Sequence, residues 1–281
     1  MRYGIAVNTT NCMACYNCFM ACKDEHCGFS TSVSAPQPHE GQFWVNISSK
    51  ERGDDNRRVK TINVPVFCAS MDTPAFNKAV EEGLMVRRED GIEYIDPKKA
   101  KGHKELVDIS PVGGIFWNEE LQLPQKCTMC AHLLDEGYKE PRCVEACPNG
   151  VLFFGDLDDP NSEVSKVIAA NKVTPLPGLE EVDTNVVYLN LPTVFLAGSV
   201  YLPGDETGED PADGADIVLT NQATGEKITG KTNYFGDWEF EDLIVGATYD
   251  IEISYPDYKT VILTAKADTD HYVAETILES K

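Results

Sequence analysis

Apolar and polar positions follow two regimes along the chain. Toward the C-terminus they alternate: Trp238 and Phe240 stand among Asp237, Glu239 and Glu241, and Tyr249, Ile251, Ile253 and Tyr255 among Asp250, Glu252 and Ser254. Successive side chains of a strand point to opposite faces, so this alternation predicts strands with one buried and one wet face. Turn signals recur at Gly204-Asp205, 211–214, Thr224-Gly225, 233–236, Gly246 and Pro256-Asp257. Short strands at that spacing predict an all-β sandwich over residues 191–281. The first 190 residues show little periodicity. Short helices are predicted at 77–86 and 162–171, among polar loops such as 32–41 and 48–58. A region so poor in periodic apolar residues implies a support other than a hydrophobic core, and bound metal supplies one.

Residues 184–204 carry no charge and approach the ~20 residues a membrane-spanning helix requires. The stretch contains Asn185, Asn190, Pro192, Gly198 and Pro203, and its apolar residues are largely β-branched or aromatic. That composition predicts two strands split at Pro192 and no membrane span.

At roughly 150 residues per domain, 281 residues argue for two domains, divided here into 1–190 and 191–281. The chain holds 46 Asp and Glu against 24 Lys and Arg, a net charge of -22. Such an excess repels phosphate backbones and anionic membrane surfaces, which argues against nucleic-acid or membrane partners. The N-terminal residues contain no apolar run of the export type, so a cytoplasmic location with reduced thiols is expected.

Those thiols carry the chemistry. All ten cysteines lie between Cys12 and Cys147. Cys12-x2-Cys15-x2-Cys18-x3-Cys22 is the bacterial ferredoxin run, in which three thiolates wrap one cubane cluster and the fourth serves another. A zinc site usually takes two separated Cys-x2-Cys pairs, so four cysteines this dense fit it badly. A second half follows as Cys127-x2-Cys130-x12-Cys143-x3-Cys147, with Pro148 after it. The expected ligand sets are Cys12, Cys15, Cys18 and Cys147 for one [4Fe-4S] cluster, and Cys127, Cys130, Cys143 and Cys22 for the other.

The Cys12 run, the stretch Lys126-Cys-Thr-Met-Cys-Ala-His-Leu-Leu-Asp-Glu-Gly, Pro141-Arg-Cys-Val-Glu-Ala-Cys-Pro-Asn-Gly and Phe154-Gly-Asp resemble the iron–sulfur subunits of the dimethyl sulfoxide reductase family. The resemblance covers about residues 1–160. It implies an α+β, ferredoxin-like domain of two interleaved halves that passes electrons to a large molybdopterin-binding catalytic subunit. The expected unit is a heterodimer, with molybdopterin guanine dinucleotide on the partner only and no catalytic residues in this chain.

Members of that family carry two further cysteine runs between these halves. Here residues 61–111 keep the surroundings, Pro65-Val-Phe-Cys68-Ala-Ser-Met-Asp-Thr-Pro and Asp90-Gly-Ile-Glu-Tyr-Ile-Asp-Pro, but not the ligands. Met71, Phe76 and Val80 follow Cys68, and Ala100, His103, Leu106 and Ser110 precede Pro111. At least one family cluster is therefore lost, with apolar packing expected in its place. Cys27 and Cys68 remain: either plain thiols, or anchors of a third cluster completed by groups such as His26, Asp72, His103, Asp108 or Ser110. His39, His132 and His271 read as surface or satisfied core residues. The acidic stretch 205–216 lacks the ligand order of a calcium loop and reads as solvated.

In the C-terminal part, Ala197-Gly-Ser-Val-Tyr-Leu, Gly214-Ala-Asp-Ile-Val-Leu-Thr and Thr232-Asn-Tyr-Phe-Gly-Asp-Trp-Glu-Phe resemble the transthyretin-like, or carboxypeptidase-regulatory, immunoglobulin-like sandwich. Such domains mostly mediate contacts. A cluster-bearing half joined to this sandwich resembles the small subunits of molybdopterin transhydroxylases, which move a hydroxyl between trihydroxybenzene rings. Two other roles stay open: the electron-transfer subunit of another molybdenum reductase or dehydrogenase, and a binding module with non-redox clusters.

Overall fold

The structure is a computed structural model that describes residues 1–54, 58–205 and 208–281. Residues 55–57, in the polar stretch 48–58, and 206–207, in the acidic stretch 205–216, lie outside it. The chain divides into two compact units: Met1–Lys50 with Ile62–Leu191, and Glu51–Thr61 with Pro192–Lys281.

The first unit begins with β1 (Tyr3–Asn8), whose Ile5, Ala6 and Val7 are fully buried. The Asn8 side chain caps the following turn by accepting the Thr10 N–H, and the backbone then enters the Cys12 loop. Next comes α1 (Asn17–His26), which presents Cys18, Cys22 and His26 to the interior. A spacing of four places side chains one above another on a helix face.

β2 (Val45–Asp54) and β3 (Arg58–Phe67) pair with each other. The stretch 48–58, expected as a polar loop, therefore lies largely in strand. Its outer residues belong to the second unit, where charge holds them. Arg52 binds Asp270 at 2.7 Å, Arg58 binds Glu239 at 2.7 Å, and Lys60 reaches Glu239 and Glu241.

α2 (Pro74–Glu81) opens on Thr73, whose hydroxyl accepts the Phe76 N–H, with Pro74 at the first helical position where its missing N–H does no harm. The helix predicted at 77–86 thus starts earlier and ends earlier. Gly83 turns the backbone with φ +73°, and Met85 and Val86 enter β4 (Met85–Arg87), which pairs with β5 (Glu93–Ile95). β6 (Phe116–Asn118) pairs with β7 (Leu123–Gln125). Then α3 (Ala131–Asp135) follows Cys130, and α4 (Arg142–Glu145) carries Cys143. β8 (Leu152–Asp156) leads to α5 (Glu163–Ala169), capped by the Ser162 side chain; the helix predicted at 162–171 is present but ends two residues earlier. β9 (Val186–Leu189) closes the unit.

One sheet organises all of this, in the order β8-β1-β9. β1 runs antiparallel to β8, with Val7 opposite Leu152, and parallel to β9, with Val7 opposite Tyr188. The unit has substantial apolar cores, contrary to the expectation from periodicity. Ile5, Val7, Trp44, Phe67, Ile92, Leu152 and Tyr188 form one buried cluster, which includes Cys18, Cys22, Cys127 and Cys143.

The second unit holds β10 (Val194–Asp205), β11 (Gly208–Pro211), β12 (Asp216–Asn221), β13 (Lys227–Lys231), β14 (Asp237–Leu243), β15 (Thr248–Ser254), β16 (Val261–Lys266) and β17 (His271–Ile277). Among the described residues they form two four-stranded sheets. In one, β10 lies between β11 and β14 and also pairs with β17; the other has the order β13-β12-β15-β16. Trp238, Phe240, Tyr249, Ile251 and Ile253 all face the core, so the alternation in the sequence marks the buried face. Gly198, opposite Trp238, has no room for a side chain: a Cβ there would lie 2.7 Å from the indole. Among the described residues, no helix is long and apolar enough to cross a membrane. The uncharged stretch 184–204 instead forms β9 and most of β10, with Pro192 between them.

Candidate metal centre

The pairing of β1 with β8 positions the cysteines. Because the strands are antiparallel, the end of β1, which leads into Cys12, lies beside the start of β8, which follows Cys147. The Asn8 N–H donates to the Val151 carbonyl at 2.8 Å across this junction. A pocket beside it is lined by Cys12, Cys15, Cys18 and Cys147, with Tyr16, Ile47, Pro65 and Val151.

A second sulfur group lies deeper. The thiols that raise the pKa of Cys22, beyond the larger effect of burial, are chiefly Cys127 and Cys130; those that raise Cys143 are chiefly Cys130, Cys22 and Cys127. Cys12 and Cys18 instead feel Cys147 and Cys15. Cys18 also acts on Cys22 and Cys143, so α1 joins the two groups. The first group reaches the surface, with Cys15 exposed and Cys12 and Cys147 half-buried, while Cys22, Cys127, Cys130 and Cys143 are all buried.

The backbone is shaped around these sulfurs. Ala14 and Tyr16 take φ of 53° and 61°, and Met129 and Cys130 take 50° and 51°, all in the left-handed region. For residues with a Cβ each costs roughly 1–2 kcal/mol, so the folded loops must recover it elsewhere. The bends turn N–H groups onto sulfur. Met129 donates to Cys127 Sγ at 3.4 Å, and the Ala14 N–H bonds Cys12 in the same way, two residues on from the first cysteine of its pair. Phe19 and Arg142 give further N–H bonds to Cys18 and Cys130.

Donors of this kind stabilise thiolates, yet the burial opposes ionisation. It pushes Cys18 up to about 11 and Cys130 up to about 12, and raises Cys12, Cys22, Cys127 and Cys143 as well. Thiols so placed ionise readily only against a cation that displaces their protons. Among the described residues, no three His, Cys, Asp or Glu side chains are drawn together tightly enough to close on one metal ion. An iron–sulfur cube needs no such closure, because each thiolate binds its own iron at a separate corner. The donor set therefore fits four-iron clusters.

The other candidates lie mostly apart from these groups. Cys27 Sγ is 3.2 Å from His39 Nδ1 near the surface. Cys68 is fully buried in a second apolar cluster with Met71, Phe76, Ala100 and Leu106, and it receives a hydrogen bond from the Ser110 side chain. Val80 packs against the same cluster. His103 bonds Glu105 at 2.8 Å and Asp72 bonds Asn77. His271 Nδ1 lies 3.1 Å from the Thr269 carbonyl, and His132 Nε2 contacts Glu25 at 3.0 Å. His26, considered above for a third cluster, lies by the deep group instead. Its Nε2 is 3.6 Å from Cys130 Sγ, and burial holds the imidazole neutral, with a pKa down to about 3. Sequence reasoning missed Lys126, which is buried beside Cys127. A lysine abutting a cysteine run was the signal available for it.

The 4Fe-4S dicluster domain family matches residues 59–157. The pyrogallol hydroxytransferase small subunit of Pelobacter acidigallici is 34% identical over 284 residues, covering 95% of this chain and 96% of that protein. This protein belongs to that iron–sulfur subunit family. Other relatives are more distant. A tetrathionate reductase subunit of Salmonella typhimurium is 27% identical over 69% of this chain and 75% of its own length. A polypeptide of the anaerobic dimethyl sulfoxide reductase of Escherichia coli is 29% identical over 66% and 87%. Membership identifies a 4Fe-4S electron-transfer subunit of an oxidoreductase. The dicluster match includes the second cysteine motif but not the Cys12 run, so the first sulfur group draws on residues from both sides of its boundary.

Proposed function

We propose that this chain holds two [4Fe-4S] clusters, one on Cys12, Cys15, Cys18 and Cys147 and one on Cys22, Cys127, Cys130 and Cys143. It serves a large molybdopterin-binding subunit that carries the active site and converts pyrogallol to phloroglucinol with a tetrahydroxybenzene co-substrate. The observation that carries the cluster assignment is the mixing of halves: each sulfur group takes three cysteines from one motif and one from the other. The small-subunit relative, matched over nearly its whole length, supports the substrate. The residues 1–190 form the ferredoxin-like part in this reading, and 191–281 the transthyretin-like one. Cys27 beside His39 and Cys68 in its apolar cluster take no share in a third cluster.

Bound clusters supply reversible one-electron storage. The residues around them bend the loops, donate N–H groups to sulfur and exclude water from the deeper group. A hydroxyl exchange between two rings leaves no net electrons to export, so the electrons held here set or restore the oxidation state of the partner's metal. The test is anaerobic co-expression with a candidate large molybdopterin-binding subunit. Iron and sulfide near eight each per small subunit, with hydroxyl transfer between trihydroxybenzenes, are expected. A complex that instead reduces a substrate at the expense of an external donor would replace the transhydroxylase with another molybdenum oxidoreductase. Zinc without sulfide would overturn the clusters themselves.

A further inference from the structure

Lys126 is only 1% exposed, among the most deeply buried large side chains of the unit. Its ammonium donates to the carbonyls of Ala69 at 3.0 Å, Glu93 at 2.7 Å and Cys127 at 3.2 Å, and faces the Phe76 ring 6.0 Å away. Carbonyls and a ring satisfy the N–H groups but carry no formal negative charge, and a buried ammonium is best placed where an anion lies close by. The neighbouring carboxylate, Glu93, is itself buried and already engaged. Arg87 binds one oxygen, and the Met71 N–H donates to the other at 3.2 Å. The other anionic chemistry its charge acts on is sulfur: the buried Cys68 thiol, and Cys127, where the deep group begins. Lys23 and Arg142 act in the same sense on Cys22 and Cys130, but from partly exposed positions, so Lys126 is the buried cation of the three.

Resting on the cluster reading above, we propose that Lys126 is the built-in counter-charge of the deep cluster, the one on Cys22, Cys127, Cys130 and Cys143, and raises its reduction potential above what its thiolates alone would set. A four-iron cube with four thiolates is an anion and gains one more negative charge when it accepts an electron. A fixed cation beside the first cysteine of the group, in a dry setting, would favour the reduced form. Among the described residues, the first group, near the surface, has no such cation in its lining.

The experiment is an anaerobic redox titration of the whole complex, followed by electron paramagnetic resonance, for wild type, Lys126→Met, Lys126→Gln and Lys126→Arg. The neutral variants should lower the midpoint of one cluster by at least the ~59 mV that corresponds to tenfold in the reduced-to-oxidised ratio. The other midpoint should stay in place, and the arginine should largely restore the wild-type value. If the neutral variants load no deep cluster while the arginine variant does, a charge requirement is shown by iron and sulfide content instead. Unmoved midpoints in Lys126→Met, or equal loss of loading in the arginine variant, would overturn the inference. A wild-type complex without two clusters would sink the underlying assignment instead.

Discussion

Val7 and Leu152 stand opposite each other in the antiparallel pairing of β1 with β8, five residues ahead of Cys12 and five behind Cys147. This register closes the long loop between the two motifs and delivers the last cysteine of one half to the first three of the other. Leu152 and the β1 core are buried, so the junction is as rigid as the sheet that forms it.

The two sulfur groups differ in access, which predicts an order of loss. Cys15 is exposed, whereas every thiol of the deep group is buried. Titration with ferricyanide should destroy the surface cluster first, so iron falls to about half before the resonance of the deep cluster declines. Simultaneous loss, or loss of the deep cluster first, would contradict the assignment of depths.

Alkylation separates ligands from bystanders. Cys27 is half-buried beside His39, and Cys68 is sealed in the apolar cluster. In the loaded protein under anaerobic conditions, iodoacetamide should modify Cys27 alone, with all ten cysteines labelled after acid denaturation with a chelator. Mass spectrometry of the peptides reads this directly. Native labelling of any of the eight assigned ligands would count against its place on a cluster.

Apolar packing fills the region around Cys68, where the sequence resemblance implied further cysteine runs. Phe76 is fully buried at its centre. Phe76→Ala should destabilise the first unit by about 3–5 kcal/mol, seen as a lower thermal midpoint, while iron per chain stays unchanged. An iron count reduced by about half would mean that this region supports a cluster instead.

Spacing made the chemistry legible before the fold. The two cysteine runs and Pro148 were enough to propose a grouping of the sulfurs, because ligand geometry constrains sequence tightly there. The C-terminal strands were legible for a different reason: their core is built by alternation, so Trp238 and Phe240 announce their own face. The helix α1 was not, since its buried face consists largely of thiols and His26 rather than leucines or valines. The strands β2 and β3 were hidden by their polarity, because Arg52, Arg58 and Lys60 tie them down through carboxylates at Asp270, Glu239 and Glu241. The core around Cys68 escaped notice because Met71, Phe76, Ala100 and Leu106 come from segments with no common period. Lys126 was only half legible: its place beside a cysteine run stands in the sequence, but the three carbonyls that hold its ammonium come from segments no local rule brings together.

The interleaving itself is open to one decisive comparison. Serine substitutions at Cys12, Cys147, Cys22 and Cys143 can each be examined by electron paramagnetic resonance of the reduced, anaerobically purified protein. Cys147→Ser should reproduce the spectrum of Cys12→Ser, and Cys22→Ser that of Cys143→Ser, each pair altering or losing one cluster and sparing the other. If Cys147→Ser instead matches Cys143→Ser, each motif holds its own cluster and the crossed arrangement is wrong.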